Sequence, residues 1–371
     1  MHGALLQSIL VSVAFLASLG FILAGLLVLA EKKIMNYGPC DIDINTGEKK
    51  ITVKGGSSLL SSLAEHDIFI PSACGGRGTC AYCKVTVLEG GGIIGPVEDP
   101  SLSPSERNDK VRLSCQVKVR TPLKIRVPRE LFSVRRFKGV LERKRPLTRD
   151  IMEVRIRLVN PSAIEFIAGQ YIQLQSPEYR GRESVMRAYS VSSSPSEKDH
   201  IELVIRRVPD GICTTWVFDF LKEGQNVDFS GPYGEFHLSD TGAPVIFIAG
   251  GSGMAPIYGM LRRMRETGNG RQATYFFGAQ RQEDLFYMKE LRDLEKDLPS
   301  FDFVPALSNE PPDSDWNGER GLITRVVQKR FPDLSKHEAY LCGSPGMIDS
   351  AVTALTESGI PKEKIFYDKF S

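Results

Sequence analysis

Four cysteines constrain this chain more than any other residues. Cys74, Cys80 and Cys83 stand as C-x5-C-x2-C in the run Ser72-Ala-Cys-Gly-Gly-Arg-Gly-Thr-Cys-Ala-Tyr-Cys, and Cys115 follows after 31 intervening residues. Four thiolates are what a [2Fe–2S] cluster requires, two on each iron. A structural zinc ion also accepts four thiolates, but zinc ribbons usually carry two C-x2-C knuckles and this chain has one. Gly75, Gly76 and Gly78 would let the backbone wrap a cluster closely and turn N–H groups toward sulfur. Seven cysteines in all, an odd number, argue against a disulfide framework and for a reducing compartment. Cys40, Cys213 and Cys342 lie outside the set, and Cys40 reads as an inert thiol.

At 371 residues the chain exceeds one ordinary domain, and a prior of about 150 residues per domain suggests two or three. A net charge of +2 gives no global case for nucleic-acid binding. The run Ala4–Ala30 carries no charged residue. As a helix it would rise roughly 40 Å, more than the roughly 30 Å of hydrocarbon in a bilayer, so residues 4–30 are predicted to be a transmembrane helix. A cleaved signal peptide is the alternative. Against it, no Lys or Arg precedes the run, and the run exceeds the apolar core of about 7–15 residues in a signal. Lys32 and Lys33 follow at once and assign everything after them to the cytoplasmic side.

Beyond the anchor the pattern predicts an α+β multidomain chain. Residues 38–128 read as a small β-rich domain, with strands Asp41–Ile44 and Lys50–Val53 joined through Asn45-Thr46-Gly47. A helix over Leu59–Ala64 and a strand over Lys84–Leu88 complete it. Residues 133–238 read as an antiparallel barrel, with strands Val154–Val159, Tyr171–Gln175, Ile201–Arg206 and Asn226–Ser230. In residues 243–371 the strands Val245–Ala249, Ala273–Phe277, Phe301–Pro305 and Glu338–Cys342 alternate with helices that include Pro256–Thr267 and Asp284–Asp297, the pattern of a parallel α/β sheet. Arg112–Arg149 holds thirteen Lys/Arg against two Glu. It reads as a solvated strand face and linker in preference to a docking patch for lipid headgroups or an acidic partner.

Three motifs mark the barrel. Arg187-Ala188-Tyr189-Ser190 resembles the R-x-Y-S motif of the ferredoxin–NADP reductase superfamily. Arg187 can pair with a flavin pyrophosphate as a bidentate donor, Tyr189 offers a ring to isoalloxazine, and Ser190 can hydrogen-bond near N5. Gly211-Ile212-Cys213-Thr214-Thr215 opens the helical segment Trp216–Leu221 and resembles that family's second phosphate site at a helix start. Gly231-Pro232-Tyr233-Gly234-Glu235-Phe236 resembles its G-P-x-G-x-F closing loop. In the last domain the apolar strand runs into Gly250-Gly251-Ser252-Gly253-Met254-Ala255-Pro256, where glycines admit a pyrophosphate and a helix start supplies N–H groups. Cys342-Gly343-Ser344-Pro345-Gly346-Met347 resembles the family's C-G-x-P-x-M. Gln280-Arg281-Gln282-Glu283-Asp284, one Arg among two acids, favours NADH over NADPH.

The cysteine segment is similar to vertebrate- and bacterial-type [2Fe–2S] ferredoxins of β-grasp fold. The domain order is shared with the reductase components of bacterial oxygenases. The apolar N-terminal run, Gly90-Gly91-Gly92, Leu307-Ser308, Trp316-Asn317-Gly318 and the ending Tyr367–Ser371 extend the resemblance. Over essentially its whole length the chain resembles the flavin- and iron–sulfur-bearing members of the sodium-translocating NADH:quinone reductase family. It departs at Ser252 and Ser344, where Ala and Pro are expected, and in a short segment before Arg187.

That resemblance implies a β-grasp [2Fe–2S] domain held by Cys74, Cys80, Cys83 and Cys115, an FAD-binding barrel and an NADH-binding domain. It implies hydride transfer from NADH to FAD and single electrons through the cluster to integral membrane subunits and a quinone, at a bacterial inner membrane. Ser190, Cys342 and Phe370 would stand at the reacting centre, with Phe370 covering the flavin until nicotinamide displaces it. Cofactor contacts would come from Arg187, Ala188, Tyr189, Ser190, Gly211, Ile212, Cys213, Thr214, Thr215, Gly250, Gly251, Ser252, Gly253, Met254, Pro256, Cys342, Gly343 and Phe370. A reductase component of an oxygenase, or a membrane reductase with another acceptor, is the alternative.

Overall fold

The computed structural model describes residues 13, 15–25, 37–72, 74–132 and 134–370. Alternating burial along β1 (Pro39–Ile44) and β2 (Lys49–Lys54) sends Cys40, Ile42, Ile44, Ile51 and Val53 to one face. The two strands pair antiparallel around a turn in which Asn45, Thr46 and Gly47 all take positive φ. With β3 (Lys84–Glu89), β4 (Val111–Leu113) and β5 (Leu123–Arg126) they form a mixed sheet in the order β2-β1-β5-β3-β4, in which β1 and β5 run parallel. The helix Leu59–Ala64 is capped by Ser58, whose side chain accepts from the Ser61 N–H, and it buries Leu59 and Leu63 in this core.

Grouping by contacts gives two compact units. This sheet belongs to the first, which holds the described residues up to Ile70 and Gly76–Phe132; Pro71–Gly75 and the described residues from Val134 onward form the second.

The predicted membrane helix is described only at residues 13 and 15–25, which are helical and exposed, Phe21 the most. At 1.5 Å per residue the stretch 15–25 rises roughly 16 Å, about half of a hydrocarbon core. Among the described residues no helix is long and apolar enough to cross a membrane. Residues 4–12, 14 and 26–30, with Lys32 and Lys33, lie outside the described residues.

In the second unit β6 (Arg135–Pro146), β7 (Ile151–Asn160), β8 (Tyr171–Gln175), β9 (Met186–Ser190), β10 (His200–Arg206) and β11 (Asn226–Tyr233) make an antiparallel sheet ordered β10-β7-β6-β11-β8-β9. A bridge from Val191, just past β9, to Leu203 on β10 joins its two edges into a barrel. The other sheet is wholly parallel: β12 (Val245–Gly250), β13 (Ala273–Ala279), β14 (Phe301–Leu307), β15 (Glu319–Arg320), β16 (Glu338–Gly343) and β17 (Ile365–Lys369), ordered β15-β14-β13-β12-β16-β17. Period-2 alternation divides its side chains between two cores. Phe247, Tyr275 and Phe277 meet the helices Met254–Thr267 and Met288–Asp297, whereas Ile246, Ile248 and Phe276 meet Ile323–Arg330 and Pro345–Glu357.

Two expectations need correction. The helix expected over Asp284–Asp297 begins only at Met288, because Tyr287 takes φ 56° and breaks the turn before it. The basic stretch is not uniformly solvated. Lys124 and Arg126 on β5 are exposed, but Lys144 donates to the carbonyls of Val217, Phe218 and Leu221 at 2.7–3.1 Å.

Arg112 is buried outright. Its guanidinium donates to the carbonyls of Gly91, Gly92 and Ile93 at 2.8–2.9 Å and pairs with the buried Glu98 carboxylate. Burial pushes the Glu98 carboxyl up, yet bonds from Arg112 and from the N–H groups of Gly95 and Leu113 hold it below its usual range. A depressed carboxylate contributes stability above its ordinary range and loses it as pH falls. Arg112→Leu is therefore expected to cost about 3–5 kcal/mol, since a lone buried charge is left behind. Urea unfolding at pH 7 and pH 4 checks it: the loss should be larger at pH 7.

Candidate functional site

The strands β3 and β4 bring two of the four candidate ligands together. Cys83 precedes β3 and Cys115 follows β4; Lys84 pairs with Leu113, and the Ser114 N–H donates to Cys83 O at 2.8 Å. The two buried sulfurs stand 3.3 Å apart. A hydrogen bond to Cys115, then burial, holds the Cys83 thiol far above its usual range. The Gln116 amide donates to Cys115 Sγ at 3.4 Å and to Gly76 O at 3.3 Å. Gly78 has φ 82°, where a side chain is strained, and a Cβ there would crowd Val97 at 2.7 Å and the Gln116 amide at 2.9 Å. Cys74 and Cys80 are half-buried. Among the described residues no three His, Cys, Asp or Glu side chains are grouped to hold a metal ion. What the loop offers is a contacting pair of soft sulfur donors with an amide N–H on one of them, chemistry that suits an iron–sulfur group.

In the barrel the first two motifs meet. Arg187-Ala188-Tyr189-Ser190 falls on β9, paired with β8 so that Tyr189 lies opposite Ile172 and Ser190 opposite Tyr171. Tyr189 and Cys213 interact side chain to side chain. Burial, then the neighbouring cysteine, raises the tyrosine well above its usual range, and burial pushes the Cys213 thiol up to about 11. Both groups are neutral at physiological pH. Thr214 Oγ1 accepts from the Val208 N–H at 3.2 Å, and the Tyr179 hydroxyl donates to Ile212 O at 2.6 Å, fixing the turn that begins at Gly211. Only Ile212–Thr215 is α-helical there; Trp216–Phe220 continues as a π-turn. Ser190 is buried and Arg187 half-buried, its Nη1 donating to Met186 O at 2.8 Å. In the closing loop Gly234 takes φ 98°, and a Cβ there would lie 3.0 Å from the Tyr171 ring.

The two dinucleotide signatures also meet, at the carboxyl ends of the neighbouring strands β12 and β16. A Cβ on Gly253 would lie 2.6 Å from the Cys342 carbonyl carbon and 2.9 Å from Gly343 Cα. Ser252, Met254 and Pro256 are buried in or just after this turn. Ligands of open α/β sheets bind at this edge. Cys342 is fully buried, and burial, then the charge of Asp368, raises its thiol well above the usual range. The Phe370 N–H donates to Gly343 O at 2.9 Å, which places that half-buried aromatic beside the second signature.

Asp368 lies in the ending Tyr367–Ser371, but the sequence assigns it no role of its own. It lies opposite Cys342 in the β16–β17 register, and burial pushes its carboxyl up to about 6. Its signal in the sequence is a lone acid in the short strand before a terminal aromatic, legible only once that strand is known to lie beside Cys342.

Residues 42–120 match the 2Fe-2S iron-sulfur cluster binding domain family, 138–238 the oxidoreductase FAD-binding domain family and 247–353 the oxidoreductase NAD-binding domain family. The chain is 35% identical to the F subunit of the Na(+)-translocating NADH-quinone reductase of Pseudomonas paraeruginosa, over 94% of this chain and 95% of that one. It is 34% identical to the corresponding F subunit of Neisseria meningitidis, over 98% of this chain and all of that one. Among solved structures it is similar to the Amycolatopsis cytochrome P450 reductase GcoB, with TM-score 0.73, 28% identity and coverage of 89% of this chain and 98% of that one. The ferredoxin reductase in carbazole 1,9a-dioxygenase gives TM-score 0.70 at 27% identity, covering 90% and 99%.

Two outcomes follow for the strand edge. Gly253→Ala forces the turn off Cys342 and is expected to weaken dinucleotide binding about tenfold or more, read as the dissociation constant by titration. A carboxyl whose folded range is raised destabilises the fold as pH climbs through about 6. Asp368→Asn is therefore expected to stabilise the second unit at pH 8 by on the order of 1–3 kcal/mol and to leave it unchanged at pH 4, by thermal unfolding.

Proposed function

The chain belongs to the family of F subunits of the Na(+)-translocating NADH-quinone reductases, and on that premise we propose that it is the electron-input subunit of such a complex. The barrel would hold FAD, which when bound would supply hydride acceptance from NADH, and the cysteine loop would hold a [2Fe–2S] cluster, which would supply one-electron transfer toward membrane partner subunits and a quinone. The residues to hold the cluster are Cys74, Cys80, Cys83 and Cys115, and the contacting Cys83–Cys115 pair supports that assignment. The observation that carries the flavin and nicotinamide reading is that four separated motifs pair off within one unit: Tyr189 with Cys213, and Gly253 with Cys342.

Each side chain then has a limited task. Arg187 and the Gly211–Thr215 turn bind flavin phosphates; Gly250, Gly251, Ser252, Gly253, Met254 and Pro256 form the cradle for the dinucleotide. Ser190, Cys342 and Gly343 orient the hydride contact, and Phe370 covers it until nicotinamide enters. Tyr189 and Cys213, held neutral by burial, move no proton at physiological pH. Orientation, not acid–base catalysis, is expected to set the rate. The uncharged run 4–30 anchors the chain to a bacterial inner membrane with everything after Lys33 on the cytoplasmic side. That run carries no ionisable residue, so sodium movement belongs to partner subunits.

The purified full chain in detergent is expected to contain iron and FAD and to bleach in the flavin band on addition of NADH. Cys83→Ser should lose iron and keep the NADH-driven bleaching. Zinc in place of iron, or an unchanged spectrum, sinks the proposal. The likeness to oxygenase reductases favours a second reading, in which a fragment lacking residues 1–33 would serve an oxygenase without any membrane partner.

Nucleotide choice follows from the loop after β13. The Gln282 N–H and side-chain amide donate to Glu310 at 3.0 and 2.9 Å, and the amide also donates to Asp315 at 2.8 Å. Two more acids thus join Glu283 and Asp284 where a 2′-phosphate would lie. NADPH is expected to be about tenfold or more poorer than NADH in kcat/KM, and Glu310→Gln to narrow the gap.

A further inference from the structure

We propose that Gly259 and Arg262, which lie outside every flavin or dinucleotide motif, are positioning residues that set the separation between the two halves of the hydride-transfer site. The inference rests on the reading of the second unit as an NADH-to-flavin reductase. The helix Met254–Thr267 begins at the Gly-rich turn and docks on the chain segment that leaves Ser190. A Cβ on Gly259 would lie 3.0 Å from Val191 O, 3.4 Å from Ser193 O and 3.7 Å from Ser192 O, so helix backbone and barrel backbone are as close as a glycine permits. One turn on, Arg262 Nη1 donates to Glu202 Oε2 at 2.7 Å and to Ser192 O at 3.4 Å. Its Nη2 donates to both carboxylate oxygens of Glu197 at 2.7 Å. Glu202 is itself fixed, accepting from Arg155 Nη1 at 2.7 Å, while its N–H donates to Ser193 Oγ at 3.1 Å.

The connection between dock and site is short and stiff on both sides. On one side Val191 is the residue after Ser190 and is pinned by its N–H on Gln170 O at 3.0 Å. On the other, a single helix joins Arg262 and Gly259 to the turn at Gly253, so a displacement at the dock is passed along it toward the turn. Buried ion pairs add little net stability compared with apolar packing of the same volume, but they are strict about geometry. Hydride transfer is strict in the same way, since reacting atoms must stand about 3–3.5 Å apart and a 1 Å error costs about a hundredfold.

The test uses the full holoprotein and the variants Gly259→Ala, Arg262→Lys and Glu202→Gln. Gly259→Ala shifts the dock by a few tenths of an ångström without touching a charge; Arg262→Lys keeps the charge and loses the fork. Stopped-flow bleaching at saturating NADH is expected to slow about tenfold in each, with the NADH dissociation constant and FAD content within about twofold of wild type. The primary isotope effect with 4-deuterated NADH should rise. In cofactor-free protein, amide hydrogen exchange across 190–203 should quicken in Arg262→Lys and Glu202→Gln. Unchanged bleaching rates overturn the inference. So does a pattern in which only NADH affinity or FAD content falls, which is the mark of a merely structural role. Wild-type protein that NADH does not bleach overturns the proposed function itself, and the inference with it.

Discussion

The second unit is organised around a place where two backbones touch. At the carboxyl ends of β12 and β16, Gly253 meets the carbonyl of Cys342 and Cα of Gly343, and no side chain fits between them. Parallel pairing puts these strand ends side by side, and the glycines let the turn fold down onto the neighbouring loop instead of standing away from it. Met347 closes the contact from the helix that follows, since a Cβ on Gly250 would lie 3.0 Å from its sulfur. Several residues of the parallel sheet with a proposed chemical task gather at that junction. Cys342 lies within it, Asp368 opposite, and Phe370 is tethered to Gly343.

The elements that place this junction are legible because they are short, largely apolar runs, and those of β12, β13 and β16 lead straight into glycine. Val245–Ala249, Ala273–Phe277, Phe301–Pro305 and Glu338–Cys342 all lie within observed strands, and the barrel strand Tyr171–Gln175 has the expected bounds. Pattern and structure part where one residue's conformation overrides the sequence around it. Apolar spacing continues through Leu285 and Phe286, but Tyr287 in the left-handed region starts the helix later. Arg112 and Lys144 read as members of a solvated basic stretch, and the carbonyls that bury them come from elsewhere in the chain. The paired motifs are visible as separate signatures. That Tyr189 reaches Cys213, or that Gly253 reaches Cys342, depends on strand order, which no local pattern encodes. Gly259 and Arg262 give no signal at all, being an ordinary glycine and an ordinary basic residue on an amphipathic helix.

Carboxylates with basic or hydroxyl partners recur in the second unit. Glu153 on β7 takes Arg143 and Arg145 at 2.8 Å and also the hydroxyl of Tyr287 at 2.7 Å, from the stretch leading into the helix Met288–Asp297. Glu266, further along the helix that carries Arg262, accepts from Ser194 and Ser196. Arg271 and Glu338 form another buried pair at the amino-terminal end of the parallel sheet. Apolar surfaces slide at little cost, whereas a forked guanidinium on a carboxylate has one good arrangement. The contacts of Glu153 with Tyr287, of Glu266 with Ser194 and Ser196, and of Arg262 with Glu197 and Glu202 therefore select one relative placement of barrel and parallel sheet.

Dissolved salt acts unequally on this molecule. Pairs such as Lys124–Glu89 and Lys289–Asp293 stand largely in water, where counterions weaken them over a Debye length of about 8–10 Å. Arg262 and Glu202 are 13% and 10% accessible at their side chains, so mobile ions have almost no approach to the space between them. Ionic strength can thus change how this protein's surface meets other charged bodies and still leave the contact between the helix Met254–Thr267 and β10 untouched.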